Sequence, residues 1–215
     1  MLQVGLEGNP FGDFLIADRR SYSSCGNGRD KRHVLTVVEP ERFVFVDECG
    51  THTSLGPIYG YAPRDERLRL SVPRKRGKNT TLLSSLSLEV MGPSLTVGGA
   101  STAAVSEAYV EHVLAPSLCP GQVVAMDNLG AHRPKRVREL IEQQGCELLY
   151  LPAYSPDYNP IEEAFAKIKN LLRKAAARSK ETLLDAIGAA LSAITAEDVQ
   201  GFFEHAGYRS SGHLL

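Results

Sequence analysis

The stretch Phe43-Val44-Phe45-Val46-Asp47 is four apolar, strand-forming residues running straight into a carboxylate. A continuous apolar run without alternation reads as a strand buried on both faces. It has a counterpart further along, Val123-Val124-Ala125-Met126-Asp127, again apolar and again ending in an aspartate. If the two strands are parallel neighbours, both carboxylates emerge at the same sheet edge. That edge is the carboxyl end, where open α/β sheets place their ligands.

Working outward, Ile58–Ala62 and Leu82–Val90 read as further strands, which with the first would form an antiparallel meander. Val105–Leu114 carries a helical stripe (Val105, Tyr109, Val110, Val113, Leu114) closed by Pro116. Pro134–Gln144 reads as a helix, with Pro134 in its first turn and Gly145 as C-terminal cap. Glu147–Leu151 reads as a strand stopped by Pro152, and Tyr154–Asn159 as a turn. A helix begins at Pro160 with Ile161, Phe165, Ile168 and Leu172 on its apolar face. Helices over Lys180–Ile194 and Ala196–His205 follow, the second capped by Thr195. This order predicts a mixed α/β fold with one central sheet. Residues 1–41 show no sustained period and include the Ser- and Gly-rich stretch Ser21–His33, so the expected organisation is an N-terminal segment 1–41, a domain over 42–208 and a tail 209–215.

A chain of 215 residues has room for one ordinary domain, and 43% hydrophobic residues is enough for a core without disulfide staples. The net charge of −1 argues against a uniformly basic nucleic-acid binder, but it hides two local runs. Between Arg64 and Lys78 lie seven basic residues and two acidic ones; between Lys167 and Lys180 lie six basic residues and no acidic one. Cys25, Cys49, Cys119 and Cys146 are scattered without zinc-ligand spacing. With no secretory leader and no apolar run of spanning length, a reduced, cytoplasmic chain without membrane contact is expected.

A third carboxylate, Glu162, falls in the first turn of the Pro160 helix, with 34 residues (128–161) between it and Asp127. Three carboxylates brought together repel one another and remain ionised readily only around a cation. Hard oxygen donors point to Mg²⁺, with Mn²⁺ as substitute. The chemistry suited to such a site is phosphodiester attack assisted by two ions, for which Asp47 is the candidate bridging ligand. Structural readings stand beside this one. An aspartate at a strand end is often a turn residue or a cap. Asn159-Pro160-Ile161-Glu162 also matches a capping box, with Asn159 at N-cap and Glu162 at N3. The adjacent Glu163 is spaced to pair with Lys167.

At these residues the chain resembles the bacterial insertion-sequence transposases of the mariner-like superfamily. The matching blocks are Phe45-Val46-Asp47-Glu48-Cys49-Gly50, Tyr59-Gly60-Tyr61-Ala62-Pro63-Arg64, Val124-Ala125-Met126-Asp127-Asn128 and Leu151-Pro152-Ala153-Tyr154-Ser155-Pro156-Asp157-Tyr158-Asn159-Pro160-Ile161-Glu162. Phe165 stands where a Trp is common, and Cys49 where Ser or Thr is common. The resemblance implies a ribonuclease H-like mixed sheet flanked by helices, with Asp47, Asp127 and Glu162 as a catalytic and metal-binding triad for two Mg²⁺ ions. It implies cleavage of double-stranded DNA at the element's ends and attack of the freed 3′-hydroxyl on target DNA. No covalent protein–DNA intermediate is implied, and the active assembly would be a homodimer associated with the nucleoid. Asp157 would be a turn residue, and Asn128 would help position the site. The helix-turn-helix modules that recognise transposon ends in this family have no counterpart in residues 1–41, so a truncated product is one expectation.

The basic runs supply candidates for DNA contact: Arg64, Arg74, Lys75 and Arg76 in the first, Lys169 and Arg173 in the second. Glu162, Ala166, Lys169 and Arg173 share one helical stripe, a track suited to a phosphate backbone. The alternative for both runs is ordinary solvated charge. His132 is read as making a local hydrogen bond near a helix start, with DNA contact or proton transfer as the alternative. Three functions compete: an active cleaving and joining core, a catalytically silent remnant that binds or regulates an intact transposase, and a nuclease of relaxed specificity, against which the transposase-like run from Leu151 to Glu162 argues.

Overall fold

The computed structural model describes residues 38–67, 69, 72, 79–127, 135–152 and 156–209. Five strands form one mixed sheet: β1 (Phe43–Thr51), β2 (Thr80–Leu86), β3 (Leu95–Gly98), β4 (Val123–Met126) and β5 (Glu147–Tyr150), in the order β3-β2-β1-β4-β5. β3, β2 and β1 are antiparallel; β1, β4 and β5 are parallel. This is the mixed α/β sheet that the alternation of strands and helices predicts.

The apolar runs are continuous because the central strands are covered on both sides. Along β1, Phe43, Phe45 and Cys49 enter one core, while Val44 and Val46 enter the other. The first core is closed by α3 (Pro160–Ala175), α4 (Lys180–Ser192) and α5 (Ala196–His205). The second is closed by α1 (Ala103–Tyr109) and α2 (Lys135–Gln143), with Tyr109, Leu114, Val137 and Ile141 among its members. In α3, Ile161, Ala164, Phe165, Ile168 and Leu172 are buried against the first core. Truncating a fully enclosed ring such as Phe165 typically costs about 3–5 kcal/mol.

Several elements differ from the sequence reading. Ile58–Ala62 forms no strand: Ile58, Tyr59 and Tyr61 are exposed. Gly56-Pro57 and Gly60 break the run, and both edges of β1 are already taken, by β2 and β4. The meander partner is instead β3, a four-residue edge strand whose brevity hid it. β2 stops at Leu86 rather than continuing to Val90, because Ser87–Val90 closes a turn with the Ser87 N–H donating to the Val90 carbonyl at 3.1 Å. β1 runs past Asp47 to Thr51, held by its pairing with β2. The Val105–Leu114 helix starts earlier, at Ala103 behind the cap Thr102, and widens into a π turn over Val110–Leu114 before Pro116. Gly145 does cap α2: at φ 72° it occupies the left-handed region, and an added Cβ would meet Pro120 at 3.2 Å.

Candidate active site

Parallel pairing of β1 with β4 puts Phe43 opposite Val123 and Val46 opposite Met126. Asp47 and Asp127 are therefore the next matched positions, on strands that lie about 4.8 Å apart. Both continue the alternation that sends Phe43, Phe45, Val123 and Ala125 into the core under α3. β4 ends at Met126, so Asp127 stands at the carboxyl edge. Asp47 is at the end of the parallel ladder but still inside the antiparallel one, opposite Ser84. Asp47 is buried and Asp127 half-buried.

The start of α3 comes to the same place. The Asp47 carboxylate accepts the Glu48 N–H on Oδ1 at 2.7 Å and the Asn159 side-chain amide on Oδ2 at 2.9 Å. Asn159 makes no side-chain capping bond, so the capping-box reading of Asn159 and Glu162 is corrected: the side chain is oriented by its Nδ2 bond to Asp47, and its oxygen meets no first-turn N–H. The α3 N-terminus keeps a backbone bond from the Glu162 N–H to the Asn159 carbonyl at 3.0 Å. Glu162 itself is exposed, in the first turn, where the helix dipole favours a carboxylate. The turn before it, a 3₁₀ segment Pro156–Tyr158 containing the exposed Asp157, is pinned from the chain's end: the Tyr208 hydroxyl donates to the Tyr158 carbonyl at 2.8 Å.

Cys49, two residues beyond Asp47 on the same face, reports the local charge. Burial pushes its thiol up to about 12. The Lys169 ammonium opposes that rise, while the carboxylates of Asp47, Glu162 and Glu48 add to it. Asp47, Glu162 and Lys169 therefore share one electrostatic neighbourhood at the end of β1.

A family model described as DDE superfamily endonuclease matches residues 42–184. The chain belongs to this family. Its fold is that of the Mos1 mariner transposase catalytic domain. The isolated Mos1 domain matches at TM-score 0.57 and 18% identity, over 83% of this chain and 87% of that one. A Mos1 paired-end complex with the left transposon end matches at TM-score 0.67 and 18% identity, over 93% of this chain and 63% of that one. A mariner Mos1 paired-end complex with Mg matches at TM-score 0.65 and 18% identity, over 91% of this chain and 64% of that one. The chain thus spans less than two thirds of the longer Mos1 chains. No curated protein matches the sequence significantly.

The β1–β4 register sets Asp47 beside Asp127, and the Asn159–Asp47 bond brings the start of α3, which carries Glu162, to the same edge of the sheet. Among the described residues, no three His, Cys, Asp or Glu side chains converge closely enough to form a ready-made cage. Lys169 and Arg173 are half-buried on the α3 stripe, and Arg173 donates to Asn170 at 2.8 Å. Arg64 lies in the exposed segment after β1. Arg74, Lys75, Arg76, Asn128 and His132 lie outside the described residues. Glu163 does not pair with Lys167: it binds His205, and Lys167 binds Asp198, because α5 packs across α3 and offers partners closer than the helix's own next turn. Asn159 is the site residue that sequence reasoning assigned only to capping. Its one signal was an amide side chain directly before a Pro-initiated helix that carries a candidate ligand.

Proposed function

We propose that this chain is the catalytic core of a transposase that cleaves DNA strands at the ends of a mobile element and transfers the freed 3′ ends to target DNA. The observation that carries the proposal is the parallel register of Val46 with Met126, which sets Asp47 beside Asp127 at a carboxyl edge also reached by the Glu162 helix. In support, Mos1 structures of this fold include a paired-end complex with the left transposon end and paired-end complexes with Mn or Mg.

The donor set fits a hard divalent cation. Asp47, Asp127 and Glu162 offer only oxygen, and the Asp47 carboxylate is oriented by two N–H donors, as ligating carboxylates commonly are. Mg²⁺ is usually bound through one or two carboxylates and retains water, so an exposed Glu162 suits it better than a closed cage would. Bound there, two Mg²⁺ or Mn²⁺ ions would supply Lewis acidity at the phosphodiester. The protein's share is to hold Asp47 rigid and to extend Glu162 from a helix start. Along the same stripe it presents Lys169 and Arg173 to a phosphate backbone. Double-stranded DNA and a second copy of the chain are the partners this reading calls for.

The test is Mn²⁺-dependent nicking of supercoiled plasmid by the purified chain beside Asp127→Asn. Nicking by wild type alone is expected. A folded wild type that never nicks would overturn the reading in favour of a catalytically silent domain that binds or regulates an intact transposase.

A further inference from the structure

Asn159 is only 5% exposed, and its side chain is turned to the carboxylate of Asp47. Because a carboxylate can only accept, the Asp47 contact fixes the amide's orientation: Nδ2 donates to Asp47 Oδ2 at 2.9 Å. Asn159 Oδ1 is then buried, and among the described residues no donor reaches it. A helix-start Asn would ordinarily spend its side-chain oxygen on the N–H groups of the first turn. Here that bond is not made. The residue forgoes a cap, leaves a carbonyl without a donor, and holds a carboxylate 112 positions away.

We infer that Asn159 is a positioning residue for the divalent-cation site: it fixes the Asp47 carboxylate and ties it to the helix start that carries Glu162. Asn159 and Glu162 are three positions apart, and the Glu162 N–H is bonded to the Asn159 carbonyl, so one residue links the placement of two of the three carboxylates. Outer partners that orient ligating groups generally change metal affinity by about 10–100-fold when removed. This inference rests on the proposed carboxylate–metal function.

The experiment uses the full chain as wild type, Asn159→Ala, Asn159→Ser and Asn159→Asp. It measures Mn²⁺ binding by calorimetry, thermal melting with and without Mn²⁺, and plasmid nicking as a function of Mn²⁺ concentration. Asn159→Ala should weaken Mn²⁺ binding by about 10–100-fold and move the nicking curve to correspondingly higher Mn²⁺, with activity returning near saturation. Asn159→Ser keeps a helix-start preference but is too short to hold Asp47; it should behave like the alanine variant and stands in for it if that variant does not fold. Asn159→Asp sets a carboxylate against Asp47, so its melting temperature should fall without metal and recover more than wild type's when Mn²⁺ is added. Variants that bind Mn²⁺ as wild type does, with unchanged metal dependence of nicking, would overturn the inference and leave the function intact. A folded wild type that binds no Mn²⁺ would overturn the function and this inference together.

Discussion

Glu163 and His205, 42 residues apart, are hydrogen-bonded to each other, so the last turn of α5 is fastened to the first turn of α3 one residue from Glu162. The Glu163 carboxylate holds the His205 imidazole above its ordinary 6.5, first through that hydrogen bond and then through charge, with Asp157 adding to it and slight desolvation opposing. For a raised folded value, the stabilisation is complete below 6.5 and is lost as pH rises through the higher folded value. His205→Gln should therefore melt below wild type at about pH 5.5 and converge with it toward about pH 8.5. The pair is solvent-exposed, so the gap should be small. A gap independent of pH would show that charge is not its origin.

Asp198 works in two directions from one position. Its carboxylate accepts from Lys167 of α3 and from the Thr195 N–H and hydroxyl at the start of α5. The Lys167 ammonium, followed by the Thr195 backbone, holds Asp198 down to about 2. A depressed value means stability present above 3.8 and lost as pH falls toward about 2. Asp198→Ala should cost about 1 kcal/mol at neutral pH, chiefly through the cap, because the ion pair is partly exposed. Chemical denaturation at pH 7 and at pH 3 measures this: the difference between the two proteins should shrink at the lower pH.

The apolar runs ending in Asp47 and Asp127 were legible because burial on both faces leaves a sequence mark, and so was the amphipathic face of α3. Helix boundaries after Thr195 and before Gly145 were legible because caps are local chemistry. The β3 edge strand was not, since four residues, three half-buried and one exposed, carry little pattern. At Ile58–Ala62 the reverse holds: the residues are apolar enough for a strand, but β1 is already paired on both sides by β2 and β4. Asn159 was invisible for a different reason. Its sequence context is that of a cap, and only the fold brings the Asp47 carboxylate within reach of its Nδ2 and so turns the side chain to another use. Pairings such as Glu163–His205 likewise depend on how α5 crosses α3, which nothing local encodes.

Cys49 lies beside the proposed ligands yet should behave as an inert core thiol. Burial raises it to about 12, and burial likewise raises Cys146 to about 11. Reactive thiolate is therefore scarce at pH 8. Iodoacetamide should leave Cys49 and Cys146 unmodified in the folded chain and label both after denaturation, as read by peptide mass mapping. Labelling of native Cys49 would mean that the end of β1 opens far more readily than its burial implies.

Lys169 and Arg173 follow Glu162 along the exposed side of α3, and each is half-buried rather than free in solvent. If this stripe carries a DNA backbone away from the carboxylates, each side chain neutralises about one phosphate and releases its counterion. Binding would then weaken with salt by about 0.9 log units per log unit of salt for each contact. Lys169→Ala and Arg173→Ala should each lower affinity for duplex DNA at low salt and reduce that slope by about 1. The loss should be uniform across sequences, because phosphate contacts carry no base information. Fluorescence anisotropy of a labelled duplex titrated over a range of KCl concentrations gives both quantities. Unchanged slopes would make the stripe an ordinary charged helix face. A changed slope for Lys169 alone would place the backbone near the carboxylates without extending to the next turn of the helix.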